Sequence, residues 1–175
     1  MIFLKEIIFS FLLYSVVGTL LHFTYNLSKK NIVVGIFSSV NESVWEHIKL
    51  LLTPIFIYNT IRYILNYQTN YFIMLLAELL IAIFGIIILY KIKLIIIGNK
   101  SPIINILIFY IVCLLCSLAG YSIENIYVPN YINMVSIFGC ILIYIAYILF
   151  TVCPPKKDIF KDPITGKYGI NCVKN

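Results

Sequence analysis

Residues 71–92 read YFIMLLAELLIAIFGIIILYKI, a run whose charges are Glu78 and, at its far end, Lys91. A helix needs about 20 mostly apolar residues to cross the hydrocarbon core of a bilayer. No other regular structure exposes such a run to lipid with its backbone satisfied inside one segment. The same test finds four more runs, at residues 4–25, 40–64, 102–124 and 131–152. The fold expected is therefore an all-α integral membrane bundle of five transmembrane helices over residues 1–152, followed by a basic tail at 153–175. Composition agrees, because 62% of the 175 residues are hydrophobic and only 11% are charged. Soluble domains carry about 25% charged residues, so too few are present to cover a water-facing surface.

The gaps between the runs are turn-like. Asn26 to Lys30 and Asn66 to Asn70 are polar, Gly98-Asn99-Lys100-Ser101-Pro102 places proline at a helix start, and Pro129-Asn130 separates the last two runs. The first twenty residues begin with Lys5-Glu6 and lack a small-residue cleavage site, so they read as a retained span. No internal repeat of the kind many transporters show is visible.

Orientation follows from the basic residues. Lys29, Lys30, Lys91, Lys93, Lys100, Lys156, Lys157, Lys161, Lys167 and Lys174 fall on one side of a five-span chain, with Lys49 close to it, whereas Lys5 and Arg62 fall on the other. Cytoplasmic loops carry the excess of Lys and Arg. This predicts an N-terminus outside, a cytoplasmic tail, and a multi-pass protein of a bacterial inner membrane. The net charge of +6 is explained by topology, and no nucleic-acid partner is expected. The bilayer is the expected partner, with anionic lipid against the Lys-rich tail. The five cysteines (113, 116, 140, 153 and 172) are divided between apolar runs and tail, which predicts no disulfide framework.

The polar block Asn41-Glu42-Ser43-Val44-Trp45-Glu46-His47-Ile48-Lys49 opens the second span. If all of it is helical, Lys49, Glu42, Glu46, Ser43 and His47 share an arc of about 160°, with Trp45 beside it as an interfacial anchor. Ser39-x-x-Glu42 has the pattern of a capping box. Ionisable groups in a membrane segment face a bundle interior or a wet cavity. On the first span Ser15, Gly18, Thr19 and His22 recur at helical spacing, which predicts close packing and sets His22 at the depth of His47. The candidate catalytic residues are therefore Glu46, His47 and His22, with Glu42, Ser43, Trp45 and Lys49 as binding residues. If the site holds a cofactor, a divalent metal on His22, His47 and Glu46 is the class expected, although no complete metal motif is present.

Other features are read more simply. Pro54 is expected to kink the second span, and residues 31–40, too short to cross, to lie in the inner interface or, where protein or a wet cavity satisfies their backbone, to dip into it. Polar stripes on the last two spans (Tyr110, Cys113, Ser117, Tyr121 and Glu124; Asn133, Ser136 and Cys140) and Glu78 predict interhelical hydrogen bonds. The tail is expected on the lipid surface or folded as a lid over the polar block.

The block at 41–49, with Asp162-Pro163-Ile164-Thr165-Gly166-Lys167-Tyr168-Gly169 in the tail, resembles an uncharacterised family of small bacterial membrane proteins. The resemblance implies a polytopic membrane protein and no particular activity. Three functions fit these residues: an enzyme or binder of a lipid head group at the inner leaflet, an assembly protein, or a small ion-coupled carrier.

Overall fold

A computed structural model describes residues 2–66, 70–98, 101–124 and 126–170; Lys100, Cys172 and Lys174, singled out above, lie outside them. The helices are α1 (Ile2–Leu27), α2 (Ile32–Phe37), α3 (Val44–Asn66), α4 (Tyr71–Ile96), α5 (Pro102–Glu124) and α6 (Asn130–Val152), followed by a 3-10 turn at Asp158–Phe160. Five of the six are long and apolar enough to span a membrane, which bears out the bundle. Their outer faces carry large exposed apolar side chains, such as Leu20, Phe84, Ile106 and Leu142, a surface suited to lipid and costly in water. The chain is a multi-pass integral membrane protein.

Helix α4 is the hub and packs on α3, α5 and α6, while α1 closes the bundle against α3 and α5. Its inward face, Met74, Leu75, Glu78, Leu79, Ala82 and Ile86, recurs every three or four residues. Glu78 is fully enclosed at its centre. Its Oε2 accepts the Tyr14 hydroxyl of α1 at 2.9 Å and the Asn59 amide of α3 at 2.6 Å, and the Cys116 thiol of α5 donates to its backbone carbonyl. Gly120 of α5 completes the enclosure, because a Cβ there would fall onto the Glu78 carboxylate. One acidic side chain thus joins four helices, as the interhelical reading of Glu78 anticipated. Toward the neighbouring helix ends, Arg62 donates to both oxygens of Glu124 at 2.8 Å, and Asn133 accepts the amides of Phe72 and Ile73.

Residues 31–40 do not lie flat on an interface. Asn31 caps α2 by accepting the Val33 amide, and side chains from inside the bundle then bind the backbone of the segment. The Lys49 ammonium donates to the Gly35 carbonyl at 2.8 Å, and the Thr53 hydroxyl to that of Phe37 at 3.0 Å. The Glu46 carboxylate accepts the Val40 amide at 3.0 Å and the Lys49 ammonium at 2.8 Å. Tyr147 of α6 donates in turn to Thr53 and lies under the Lys49 charge. Backbone that turns into a membrane is tolerated only where protein satisfies it, and these contacts meet that condition. Thr53 is nine residues into α3, about 13 Å along its axis. The segment is re-entrant.

Pro54 lies inside α3 and removes the helical bond to the Leu50 carbonyl. That carbonyl faces Gly18, where a Cβ would come within 2.7 Å of its oxygen. The small-residue stripe on α1 therefore does what its spacing predicted, bringing α1 onto α3 where proline has opened the helix.

The tail folds back onto the bundle. Phe160 is buried against Trp45 and Phe150, Ile170 joins Tyr25 and Val40, and the Asn41 amide donates to the Gly169 carbonyl at 3.3 Å. Asp162 shapes the loop between by accepting the amides of Ile164 and Thr165 and the Thr165 hydroxyl. Gly166, at φ 71°, supplies the left-handed residue that this turn needs.

Two stability predictions follow from these buried contacts. Gly120→Val forces a branched side chain onto the Glu78 carboxylate and should cost at least 1–3 kcal/mol, about the scale of overpacking, read as earlier unfolding in detergent. Lys49→Met leaves Glu46 buried without its cation and should cost about 3–5 kcal/mol; the double variant Glu46→Gln/Lys49→Met should recover much of that loss in the same melt.

Candidate functional site

The N-terminal end of α3 starts later than its polarity suggested, and that shift builds the site. Ser39 donates to the Asn41 carbonyl, Asn41 accepts the Ser43 amide, and Ser43 accepts the Glu46 amide at 3.4 Å. Ser43 is thus the N-cap, in place of Ser39, while the Glu46 carboxylate takes the Val40 amide and the Ser43 amide goes to Asn41, so no reciprocal capping box forms. Residues 38–43 form an irregular connection, buried at Ser38, Ser39, Val40 and Ser43 and partly open at Glu42, which stands outside the helix.

The Glu42 carboxylate turns toward both histidines of the chain. Its Oε1 lies 3.7 Å from His22 Nε2, and its Oε2 lies 3.7 Å from His47 Nε2. The two imidazole rings are 5.6 Å apart between centroids. One ligand atom from each of the three residues lies within 4.8 Å of the other two. His47 Nδ1 is 2.9 Å from the Ser43 carbonyl. A carbonyl only accepts, so Nδ1 carries the proton and the neutral ring presents the Nε2 lone pair to Glu42. The three side chains are about 30–42% exposed, so a ligand can reach them.

Glu46 and Lys49 are not part of this cluster. They turn to another side of α3 and hold the re-entrant segment, because adjacent residues Glu46 and His47 point about 100° apart on a helix. The arc that joined them to Glu42 assumed helix from residue 40 and does not exist. Ser43 serves as the cap and as the His47 partner. Trp45 is no interfacial anchor either, being buried edge-on against Phe150 and beside Phe160.

The cluster opens onto a cleft of about 630 Å³ between α1 and α5. Thr19 and Phe23 form one wall, Ile106, Phe109 and Tyr110 the other, and Pro163 and Ile164 of the tail cover the polar end. Thr19 and Tyr110 are in hydrogen-bond contact at 3.3 Å across it. A second hollow of about 500 Å³ lies under tail residues 158–166 on the far side of Glu42, and a neck of about 70 Å³ past His47 and Asn105 lies between them.

Sequence reasoning missed the α5 wall. Tyr110 was seen only as part of a packing stripe, and Asn105 was a further signal, a polar residue in the first turn of an apolar span whose Oδ1 is buried without a protein partner. Pro163 was visible as part of the tail motif, and the lid expected of the tail is the one reading that ties it to the polar block. Cys113 and Cys116 are buried and form no disulfide with each other.

No curated protein and no solved structure matches the chain. A family model described as a family of unknown function (DUF6512) matches residues 3–170, and the chain belongs to that family.

Proposed function

We propose that this protein takes the phosphate-bearing head group of a membrane amphiphile into the cleft between α1 and α5, at the cytoplasmic leaflet of the cell membrane. One observation carries the reading: a single cleft runs between two lipid-facing helices and ends on His22, Glu42 and His47 beneath the tail. An acyl or isoprenoid chain suits the apolar walls of Phe23, Ile106 and Phe109, and a polar head suits the end. His47 Nε2 is the proton acceptor of this site, held in one tautomer by the Ser43 carbonyl. Anionic lipid is drawn to the same face by the exposed tail lysines Lys156, Lys157 and Lys161, each worth about 1 kcal/mol near an anionic surface.

The enclosure supports a binding or catalytic role over mere docking, since a docking patch needs no covered cleft. A route across the membrane is less well supported. Just beyond the histidines, Gly18 lies against the Leu50 carbonyl and the Phe109 ring, which closes the floor before the Glu78 network.

The cytoplasmic placement rests on the lysine asymmetry. Cys153 is the exposed thiol among the four described cysteines, the other three being buried. A membrane-impermeant maleimide should label the protein in inverted membrane vesicles and leave intact spheroplasts unlabelled; labelling of spheroplasts alone reverses the orientation. For the cleft, Ile106→Trp fills it from the lipid side without touching the histidines. Native mass spectrometry of the protein in detergent, loaded with fluorescent phosphatidylglycerol, should show retention falling at least tenfold in this variant. Equal retention by variant and parent removes the cleft as the binding place.

A further inference from the structure

We infer that His22, Glu42 and His47 form a binding site for one divalent transition-metal ion. The inference deepens the head-group reading of the same cleft and gives the polar end its chemistry.

The geometry points this way first by what the three groups do not do. At 3.7 Å neither imidazole is hydrogen-bonded to the carboxylate, since such bonds close at about 2.7–3.2 Å. They converge on a common point and stop short of one another. A tetrahedral ion with bonds of about 2.0–2.1 Å holds its ligand atoms about 3.3 Å apart; the two 3.7 Å contacts are to different carboxylate oxygens and the three ligand atoms lie within 4.8 Å of one another, so binding draws them closer by rotation of the side chains.

The donor chemistry agrees. Two imidazoles and one carboxylate, with positions left open, are a set used by catalytic zinc and by non-haem iron. His47 already has the outer contact that metal-bound histidines need, Nδ1–H to a backbone carbonyl at 2.9 Å, which aims the Nε2 lone pair inward. His22 Nδ1 is buried with no protein partner, so no protein hydrogen bond to that nitrogen fixes the ring's tautomer, and His22 is the adjustable ligand. The set is also drawn from three separate elements. His22 comes from α1, Glu42 from the connection behind the re-entrant segment, and His47 from the first turn of α3. An ion there has its open positions facing the cleft, where a phosphate or carbonyl oxygen of a bound head group becomes a further ligand.

The test uses the full chain in detergent, purified through a tag free of histidine, with Co2+ as the probe. One Co2+ per chain should bind, with a visible absorption band of low-coordinate geometry, and Zn2+ should displace it. His22→Gln, Glu42→Gln and His47→Gln should each weaken Co2+ binding at least tenfold while the melting profile of the apo-protein shows them folded. The chain has only two histidines, so the unaltered protein gives an independent readout: Zn2+ should protect both from diethylpyrocarbonate. No Co2+ binding at 100 µM, on the order of a very weak site by the affinity scale, overturns the site whatever the cleft retains. So does Co2+ binding that all three variants keep, or histidine modification that Zn2+ leaves unchanged. Co2+ binding by protein that retains no lipid upholds the metal site and counts only against the head-group reading.

Discussion

The half of this protein that holds the histidines depends on one buried pair of charges. Lys49 and Glu46 are shielded from solvent and meet at 2.8 Å. Taking both out of water is costly, and such pairs seldom add net stability. What this one supplies is position. Its spare donor takes the Gly35 carbonyl and its carboxylate takes the Val40 amide, so the re-entrant segment is gripped at both ends. The chain then reaches Ser43 from inside the bundle and presents Glu42 to the histidines. An apolar pair at 46 and 49 would fill the same space and leave the Gly35 carbonyl and the Val40 amide without these partners.

The bundle is built differently at its two ends. Around Glu78, Tyr14, Asn59, Cys116 and Gly120 close four helices on one another, and the Arg62–Glu124 pair lies nearer the helix ends on that side. At the other end α1 and α5 diverge around a cleft, and the cover comes from the tail. A sealed half beside an open one suits a protein that works on something arriving from one leaflet.

Much of the fold was legible because the governing signal is local. Twenty apolar residues in a row specify a span wherever they occur, so residues 71–92 identified α4 unaided, and Gly18 and Thr19 on α1 announced a close approach. The two histidines were also brought to one depth correctly by counting residues along adjacent helices. The rest was not legible because it depends on where a helix starts and on contacts far apart in the chain. Four residues of helix at 40–43 decide whether Glu42 joins Glu46 or His47, and that choice is made by Ser43 capping and by the Val40 amide finding Glu46. Trp45 reads as an anchor until Phe160, more than a hundred residues later, covers it. Phe109 and Pro163 enter the site through α5 and the tail, and no spacing links them to residue 42.

The most direct test of this account is amide hydrogen exchange across residues 38–43 in the intact protein. Held by Glu46 and covered by the tail, the Val40 amide should be protected on the timescale of the helix interiors of α4 and α5, although it belongs to no helix. Exchange there as fast as at the amide of exposed Lys156 in the tail would contradict the account, because a re-entrant segment free to open cannot hold Glu42 between His22 and His47.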